Sequence, residues 1–379
     1  MFAKTISTTA FQKTINRQFI RTMVNAKAIV YSNYGIPSEE IKVHKYTIDS
    51  PTADGVVLKT LAHPINPSDI NQIEGVYPSR PQLAEILGSE IPIAVAGNEA
   101  LSKVVEVGPD VKDLKVGDWV IPSFPNYGTW RSHCSGKESD YIKIGSPEGN
   151  LTKNAAACLS VNTCTAYEML TTITKLEPGD WFVQNGGTSS VGRFAVQIAK
   201  ILGYNSISVV RDRPNIEEVK QELQALGATH VITEEQCGSR QFLKTIKQWI
   251  GNGQVKLALN CVGGESSSNL ARKLSPDGFF VTYGGMSKRP VTFPTSLFIF
   301  KNLTAKGYWI TKNNFKDLDQ KKHVVKTVLE YFRDQKLVAA TAEETEIDWE
   351  ALGDAEVLKF YQDSLQRSKS RKQLIVSKD

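Results

Sequence analysis

Residues 181–192 read WFVQNGGTSSVG, and this stretch decides the fold. Its first four residues, Trp181–Gln184, form an apolar run that is typical of a buried strand. Gly187, Ser189 and Gly192 follow the spacing G-x-G-x-x-G, with a serine in the middle position. In this pattern, backbone N–H groups and the amino end of a helix face a pyrophosphate. The stretch therefore predicts a strand, a tight turn and a helix that together bind a dinucleotide.

The sequence after this turn alternates helices and strands. Residues 191–202 and Ile216–Leu226 are predicted to be helices, and Gly227 follows the second one as a C-cap. Apolar runs that predict strands lie between and after these helices, at residues 206–210, 256–261 and 279–283. Alternation of this kind predicts a doubly wound parallel sheet with helices on both faces. The predicted fold class is therefore α/β.

The residues at the end of the second strand indicate which dinucleotide binds. Proteins that bind NAD usually carry an acidic residue here, about 20 residues beyond the glycines, to contact the ribose hydroxyls. This chain has Arg211 and Arg213 on either side of Asp212. Guanidinium groups bind two phosphate oxygens at once, and each charge-assisted bond contributes on the order of 1.5–3 kcal/mol. NADPH is the predicted cofactor, although Asp212 could serve a ribose and the segment could also be a salt-bridged loop.

The sequence before residue 162 follows a different pattern. Short apolar runs alternate with Gly, Pro and Asn turns, for example at Leu101–Val107 and at residues 28–31, 55–61 and 118–122. A period near two and frequent turn residues predict a β-rich, barrel-like domain. Mixed helix and strand return after Thr311 and end in a strand-like segment at residues 372–377. We therefore assign residues 23–161 and 311–379 to one domain and residues 162–310 to the dinucleotide-binding domain.

Residues 1–22 are predicted to be a mitochondrial transit peptide. No Asp or Glu occurs before Glu39. Apolar side chains recur every fourth residue at Phe11, Ile15, Phe19 and Met23. Basic side chains recur at the same spacing, on another face, at Lys13, Arg17 and Arg21. A basic amphipathic helix of this kind is typical of mitochondrial import, with a solvated basic arm as the alternative.

Composition narrows the class of protein further. A chain of 379 residues, 41% hydrophobic and 22% charged, has room for two globular domains. No run of 18 or more uncharged apolar residues occurs, so no membrane span is predicted. The net charge of +5 is modest and spread out, so nucleic-acid binding is not implied. The five cysteines include no C-x-x-C pair and predict buried free thiols.

Three segments of the N-terminal part resemble the medium-chain dehydrogenase/reductase family. They are residues 64–69 (PINPSD), 104–108 (VVEVG) and 115–120 (KVGDWV). The first is similar to the segment that replaces a zinc-ligand cysteine in the quinone- and enoyl-reductase branches. Zinc alcohol dehydrogenases have Gly-His-Glu where this chain has Gly97-Asn98-Glu99, and an amide is a poor zinc ligand. The resemblance implies a GroES-like catalytic domain beside a Rossmann cofactor domain, with no zinc.

Longer segments are similar to the mitochondrial 2-enoyl-thioester reductases of fungi and animals, at residues 62–81, 160–167, 209–214, 283–290 and 307–310. This resemblance implies NADPH-dependent reduction of trans-2-enoyl thioesters, carried by acyl-carrier protein or CoA, in mitochondrial fatty acid synthesis. It also implies that Tyr77, between Gly75 and Pro78, is the proton donor. A phenol is protonated at neutral pH and can therefore donate. A ring that merely packs on a proline-rich loop is the alternative.

The same resemblance implies contacts to the cofactor. Asn162 matches a contacting position but could equally be a helix N-cap. Residues 308–310 would line the cleft or pack in the core. Lys372 would make a late contact with the cofactor, with Arg371 in that role or a solvated basic tail as the alternatives. The predicted cofactor-binding residues are Asn162, Thr188, Ser189, Ser190, Val191, Gly192, Arg211, Asp212, Arg213, Tyr283, Gly284, Gly285, Met286, Tyr308, Trp309, Ile310 and Lys372.

Two other functions stay open from the sequence. A quinone oxidoreductase of the same fold would use NADPH without needing Tyr77. An NADPH-binding protein without catalytic activity would keep only the cofactor site, because one fold can host unrelated functions. The family resemblance also implies a homodimer and an enoyl-thioester substrate, and the transit peptide predicts the mitochondrial matrix.

Overall fold

The structure, a computed structural model, describes residues 23–378. The predicted transit peptide lies outside the described residues. The strands are β1 (Val24–Tyr31), β2 (Lys42–Ile48), β3 (Gly55–Ile65), β4 (Ala94–Val95), β5 (Leu101–Val107), β6 (Trp119–Pro122), β7 (His133–Lys137), β8 (Tyr141–Gly145), β9 (Trp181–Gln184), β10 (Asn205–Val210), β11 (His230–Thr233), β12 (Val255–Asn260), β13 (Phe279–Thr282), β14 (Thr304–Gly307), β15 (Glu343–Ile347) and β16 (Gln373–Ser377).

The helices are α1 (Pro37–Glu40), α2 (Pro67–Ile73), α3 (Lys153–Ala157), α4 (Cys164–Thr171), α5 (Ser190–Leu202), α6 (Ile216–Leu226), α7 (Glu234–Gly238), α8 (Phe242–Ile250), α9 (Gly264–Ala271), α10 (Thr295–Lys301), α11 (Ile310–Lys316), α12 (Leu318–Arg333) and α13 (Asp354–Ser368). A 3-10 turn at Glu138–Asp140 precedes β8, and a π-helical turn at Leu159–Thr163 leads into α4. None of the helices between residues 23 and 378 combines the length and the apolar character needed to cross a membrane.

A parallel sheet holds the glycine-rich turn at its centre. Its strand order is β11-β10-β9-β12-β13-β14, and every neighbouring pair is parallel. The strand order reverses between β9 and β12, and in sheets of this kind ligands bind at the carboxyl ends of the strands at that point. The turn after β9 lies at this position.

Helix α5 follows the turn because its sequence supplies both caps and an apolar face. The Ser189 hydroxyl accepts a hydrogen bond from the Gly192 N–H at 3.1 Å, which caps the amino end. Gly203 ends the helix in the left-handed conformation, with φ of 76°. Phe194 and Ile198 are fully buried between the helix and the sheet, and each contributes roughly 1.5–3 kcal/mol by burial. Helix α5 is therefore capped at both ends and packed along one face, with its amino end at the turn.

A β-rich barrel forms the other half of the molecule. One sheet has the order β15-β16-β3-β5-β6-β8, with β7 also paired to β3, and a smaller sheet has the order β2-β1-β4. Ten of the eleven residues of β3 are buried, and the strand pairs with neighbours along both edges. Strand β16, from the C-terminal end of the chain, lies between β15 and β3. The segments before and after the parallel sheet therefore build one sheet together.

The predicted doubly wound sheet beside a β-rich barrel is confirmed. Three local differences have physical reasons. Strand β3 extends four residues beyond the predicted end at Leu61, because β16 covers its final residues. Asn162 lies inside the π-helical turn rather than at a helix start. Lys372 precedes β16 instead of beginning it, and its Nζ reaches Asn66, directly after the end of β3.

Candidate functional site

The glycine-rich turn is packed so closely that side chains would not fit. A Cβ on Gly186, which has φ of 61°, would lie 2.4 Å from the Cys261 sulfur. A Cβ on Gly192 would lie 2.8 Å from the backbone oxygens of Gly186 and Gly187. The side chain of Ser189 occupies the cap, whereas the N–H groups of Ser190 and Val191 have no acceptor among the described residues. The turn is a backbone cradle with free donors, as a pyrophosphate site requires.

Two buried amides hold the crevice between β9 and β12. Asn185 Nδ2 donates to Asn260 Oδ1 at 2.8 Å, and the Cys261 N–H donates to Asn185 Oδ1 at 2.8 Å. Both asparagines are fully buried. Sequence reasoning missed this pair, although an amide directly after a strand that enters a glycine-rich turn is a usable signal.

Arg211 and Arg213 lie at the carboxyl end of β10. Arg211 and Asp212 are exposed, and Arg213 is half-buried. Its Nε donates to the Arg211 carbonyl at 3.4 Å, and neither guanidinium forms an ion pair with any residue between 23 and 378. The salt-bridged loop, the alternative from sequence, is thus not observed in this part of the chain. Two unneutralised cations beside the cradle fit a 2′-phosphate.

Residues 283–286 continue from β13 on the far side of the crevice. The Tyr283 N–H donates to the Asn260 carbonyl at 3.0 Å, and the Met286 N–H donates to the Cys261 carbonyl at 2.9 Å. The Tyr283 hydroxyl lies near Cys261 and Ser189 but makes no hydrogen bond with the described residues. Burial raises the pKa of this phenol well above its ordinary value, so it stays protonated. Gly284 and Gly285 present backbone without side chains on this side of the crevice, whereas the Met286 side chain is 58% exposed.

Tyr77 faces the parallel sheet from the barrel. It lies in the loop after α2, where the N–H groups of Val76 and Tyr77 both donate to the Asn71 carbonyl, at 3.0 and 3.1 Å. Trp309 Nε1 donates a hydrogen bond of 2.7 Å to the Tyr77 oxygen, and the two rings meet edge to face. Because the indole can only donate, the hydrogen of the phenol is left without an acceptor among residues 23–378.

The other two residues of the segment 308–310 lie elsewhere. Tyr308 and Ile310 are buried in the core, at 7% and 8% exposure. The Tyr308 hydroxyl donates to Glu168 Oε2 at 2.8 Å. Trp309 is the member of the segment that reaches Tyr77, and cofactor contacts by residues 308–310 stay a prediction.

A buried polar cluster lies where the barrel meets the connecting helix. Asn162 Nδ2 donates to Glu99 Oε1 at 3.1 Å, so its side chain is not an N-cap. Lys372 Nζ donates to Asn66 Oδ1, whereas Arg371 is exposed. Asn66 Nδ2 in turn donates to Glu99 Oε1 at 2.8 Å. Burial raises the pKa of Glu99 to about 6, and the charge of Lys372 opposes that shift.

The positions related to zinc ligands carry amides that are already engaged. Asn98 Nδ2 donates to Asp69 Oδ1 and to Gln72 Oε1, each at 2.7 Å. Between residues 23 and 378, no three His, Cys, Asp or Glu side chains are grouped so that they could hold a metal ion. All five cysteines are free and buried. The donor set here suits hydrogen bonding rather than metal coordination.

Two protein-family models match the chain. A family model described as an alcohol dehydrogenase GroES-like domain matches residues 52–163, and one described as a zinc-binding dehydrogenase matches residues 190–323. Together these two domains define a medium-chain dehydrogenase/reductase.

Named proteins with similar sequences include reductases of two kinds. The mitochondrial enoyl-acyl-carrier-protein reductase 1 of Candida tropicalis is 48% identical over 94% of each chain. An NADPH quinone oxidoreductase of Kluyveromyces marxianus is 43% identical over 96% of this chain and 99% of its own.

A solved complex of Etr1p with NADP and crotonyl-CoA superposes with a TM-score of 0.89 at 47% identity, covering 93% of this chain and 100% of its own. The Etr1p/Etr2p heterodimer of the Candida tropicalis 2-enoyl thioester reductase gives 0.89 at 48% identity, over 93% and 100%. The chain belongs to the family of mitochondrial enoyl-acyl-carrier-protein reductases.

Proposed function

We infer that the chain is an NADPH-dependent reductase of trans-2-enoyl thioesters, carried by acyl-carrier protein or CoA, in the mitochondrial matrix. The hydrogen bond from Trp309 to Tyr77 carries the mechanistic part of this proposal. It holds a phenol at the junction of barrel and parallel sheet with its own hydrogen free to donate. That arrangement is what a proton donor at the α-carbon of an enoyl thioester needs.

The cofactor fits the residues of the parallel sheet. The cradle around Gly186 and Gly192 would hold its pyrophosphate, and Arg211 and Arg213 its 2′-phosphate. When bound, NADPH supplies the hydride for the β-carbon of the substrate. We propose residues 162–310 as the cofactor domain and residues 23–161 with 311–379 as the catalytic domain.

Replacing Tyr77 with Phe tests the proton donor. Turnover of crotonyl-CoA, followed by NADPH oxidation, should fall by roughly 10²–10⁴-fold, the usual contribution of a positioned acid. Tyr204→Phe is the matched control, because it also removes a bonded hydroxyl, which donates to the Leu176 carbonyl at 3.2 Å. Turnover within a few-fold of wild type in Tyr77→Phe would reject Tyr77.

Quinone reduction is the second candidate, because the Kluyveromyces marxianus relative has that name. A quinone can accept hydride without protonation of carbon, so this activity would not depend on Tyr77. Comparing crotonyl-CoA with a soluble benzoquinone in both wild type and Tyr77→Phe separates the two functions. We expect enoyl reduction to be faster in wild type and to be the activity that the substitution removes.

We also propose that the protein is a homodimer. All four residues of β14, at the edge of the parallel sheet, are exposed. The adjacent helix α10 exposes three large apolar side chains, Phe298, Ile299 and Phe300. An uncovered sheet edge beside such a surface fits a second copy of this chain, with the two β14 strands side by side.

The oligomeric state can be measured by light scattering after gel filtration. Wild type should have the mass of two chains, and Phe300→Asp, at a side chain that is 79% exposed, should shift the mass toward one. Val116→Asp is the matched control, since Val116 is 59% exposed in a turn of the barrel. A monomeric wild type, or a dimer that survives Phe300→Asp unchanged, would contradict the proposal.

A further inference from the structure

The loop that carries Tyr77 is held from its far side by two amide side chains. Gln72 Nε2 donates to the Ser79 carbonyl at 2.7 Å, and Asn126 Nδ2 donates to the Ser79 hydroxyl at 2.9 Å. Val76 and Pro78, the immediate neighbours of Tyr77, are exposed and contribute little packing. The position of the phenol thus depends on hydrogen bonds at Ser79 as well as on the Asn71 carbonyl and the Trp309 indole.

Asn98 joins these two amides into one unit. Its Nδ2 donates to Gln72 Oε1 at 2.7 Å, and its Oδ1 accepts the Asn126 N–H at 3.0 Å. Gln72 Nε2 also lies 2.8 Å from Asn126 Oδ1, which closes a ring of three amides. We call Gln72, Asn98 and Asn126 the amide clamp.

The amide clamp has a charged anchor at its base. Asn98 Nδ2 donates to Asp69 Oδ1 at 2.7 Å, and Asp69 Oδ2 accepts the Asn66 N–H at 2.7 Å. Asp69 and Gln72 are 1% and 3% exposed, so water does not compete for these bonds. Bonds to a buried carboxylate are stronger than bonds between neutral groups.

The backbone conformation of Asn126 restricts which residues can stand at this position of the amide clamp. Asn126 has φ of 61°, in the left-handed region that favours glycine. Asparagine is among the few other residues that adopt this conformation readily. A side-chain amide here reaches both Gln72 and Ser79, which glycine could not do.

We propose that the amide clamp positions Tyr77 for proton transfer, so that Gln72, Asn98 and Asn126 are positioning residues for the reduction. This inference rests on the proposed function. The three amides do not contact Tyr77; they fix Ser79, two residues further along, and so set where the loop places the phenol. A displacement of 1 Å at a reacting group can cost about 100-fold in rate.

Gln72→Met is the first test, because methionine keeps the length and apolar stem of the side chain without its hydrogen bonds. We expect kcat with crotonyl-CoA to fall about 10- to 100-fold, while the Kd for NADPH, measured by fluorescence, stays within about 2-fold. Asn126→Gly is the second variant, since glycine accepts the same φ and leaves the backbone unstrained. It should give a smaller fall in kcat in the same direction.

The same substitutions in a Tyr77→Phe background give the deciding measurement. If the amide clamp acts through the phenol, Gln72→Met should change the remaining turnover by less than about 3-fold once that phenol is gone, because the two effects share one cause. Equal factors in both backgrounds would overturn the proposal, as would an unchanged kcat in Gln72→Met alone. If Tyr77→Phe alone kept wild-type turnover, both the role of Tyr77 as proton donor and the role of the amide clamp would be rejected. The Tyr77→Phe single variant therefore distinguishes failure of the proposed function from failure of the amide clamp.

Two matched controls separate positioning from general loss of stability. Gln197 is also a buried glutamine, and its amide holds the backbone of Val338, with bonds of 2.9 and 3.3 Å. Gln197→Met should lower the melting temperature but leave kcat within about 2-fold. Gln335→Gly, at an exposed residue with φ of 59°, controls for the glycine replacement. Loss of kcat in Gln197→Met equal to that in Gln72→Met would contradict a positioning role.

Discussion

At the scale of single residues, preference for the phosphorylated cofactor depends on Arg211 and Arg213. Neither guanidinium is neutralised by a carboxylate in the described part of the chain. Replacing both with alanine should raise the Kd for NADPH about 100-fold or more, since two charge-assisted bonds of about 1.5 kcal/mol each are lost. The Kd for NADH should hardly change, and fluorescence titration measures both. Arg240→Ala, at another exposed arginine, is the control; equal weakening of NADH and NADPH would contradict a phosphate contact.

A second prediction for a single residue concerns His63 and the dependence of folding stability on pH. Its ring packs against those of Trp130 and Tyr361, with centroids 5.9 Å away in each case, and its Nε2 lies 2.8 Å from the Tyr361 hydroxyl. Burial lowers the pKa of this imidazole to about 3. Between about pH 6.5 and 3 the unfolded chain therefore binds a proton that the folded chain does not, so stability is lost as the pH falls. Denaturation at pH 7 and 4.5 should show wild type losing roughly 2–3 kcal/mol more than His63→Gln. Identical losses in the two proteins would show that this imidazole is not the cause.

At the scale of elements, the close packing of turn and helix predicts the effect of a single methyl group. In Gly192→Ala, the new Cβ would meet two backbone oxygens at 2.8 Å, and neither can move without distorting the cradle. We expect stability to fall by about 1–3 kcal/mol, as overpacking does, and NADPH binding to weaken at least 10-fold. Gly353→Ala is the control, since its nearest neighbour is the flexible end of Glu356 at 3.3 Å. Unchanged NADPH binding in Gly192→Ala would contradict the placement of the pyrophosphate.

Elements defined by their own periodicity could be predicted from the sequence. The bounds of β5, β9 and α6 agree with the predicted bounds to the residue, because apolar spacing and flanking turns decide them locally. The π-helical turn at Leu159–Thr163 could not be predicted, since its extra residue accompanies bonds to Glu99, some 60 residues earlier.

In the candidate site, too, residues with a local sequence signal could be predicted, and residues that depend on distant contacts could not. The glycine-rich turn and the loop of Tyr77 have local signals in glycine, proline and their spacing. Gln72 and Asn126 have none, because a buried amide is recognised only by the partners that folding brings to it. Tyr308 and Trp309 are adjacent and both aromatic, yet only the structure shows which of them turns toward Tyr77.

At the scale of the whole molecule, Glu99 connects the barrel to the helix that leads into the parallel sheet. It accepts bonds from the Ser160 hydroxyl at 3.2 Å, the Val161 N–H at 2.9 Å and Asn162 Nδ2 at 3.1 Å. Burial raises its pKa to about 6, so protonation below that pH removes acceptor capacity from the junction. We expect kcat/KM to fall as the pH drops through about 6.

Glu99→Gln imitates the protonated carboxyl group and isolates its effect. This variant should be less active than wild type at pH 7.5 and should show a shallower decline near pH 6. Part of the decline should remain, because burial also raises the pKa of Asp69, which anchors the amide clamp, to about 6. The measurement is kcat/KM for crotonyl-CoA between pH 5 and 8, with NADPH saturating. A wild-type profile that is flat over this range would rule out the junction as the origin of acid sensitivity.

Because β16 lies at the C-terminal end of the chain, the barrel sheet that contains it can be completed only after the parallel sheet. Its pairing with β3 joins the N-terminal barrel strands to the C-terminal end of the chain, whereas β9–β14 are contiguous and can assemble as soon as they have entered the matrix. A chain that stops before Gln373 would keep the nucleotide sheet but leave one edge of β3 bare just ahead of the loop of Tyr77. Nucleotide binding should therefore precede reductase activity during biogenesis, and the final strand completes the catalytic half.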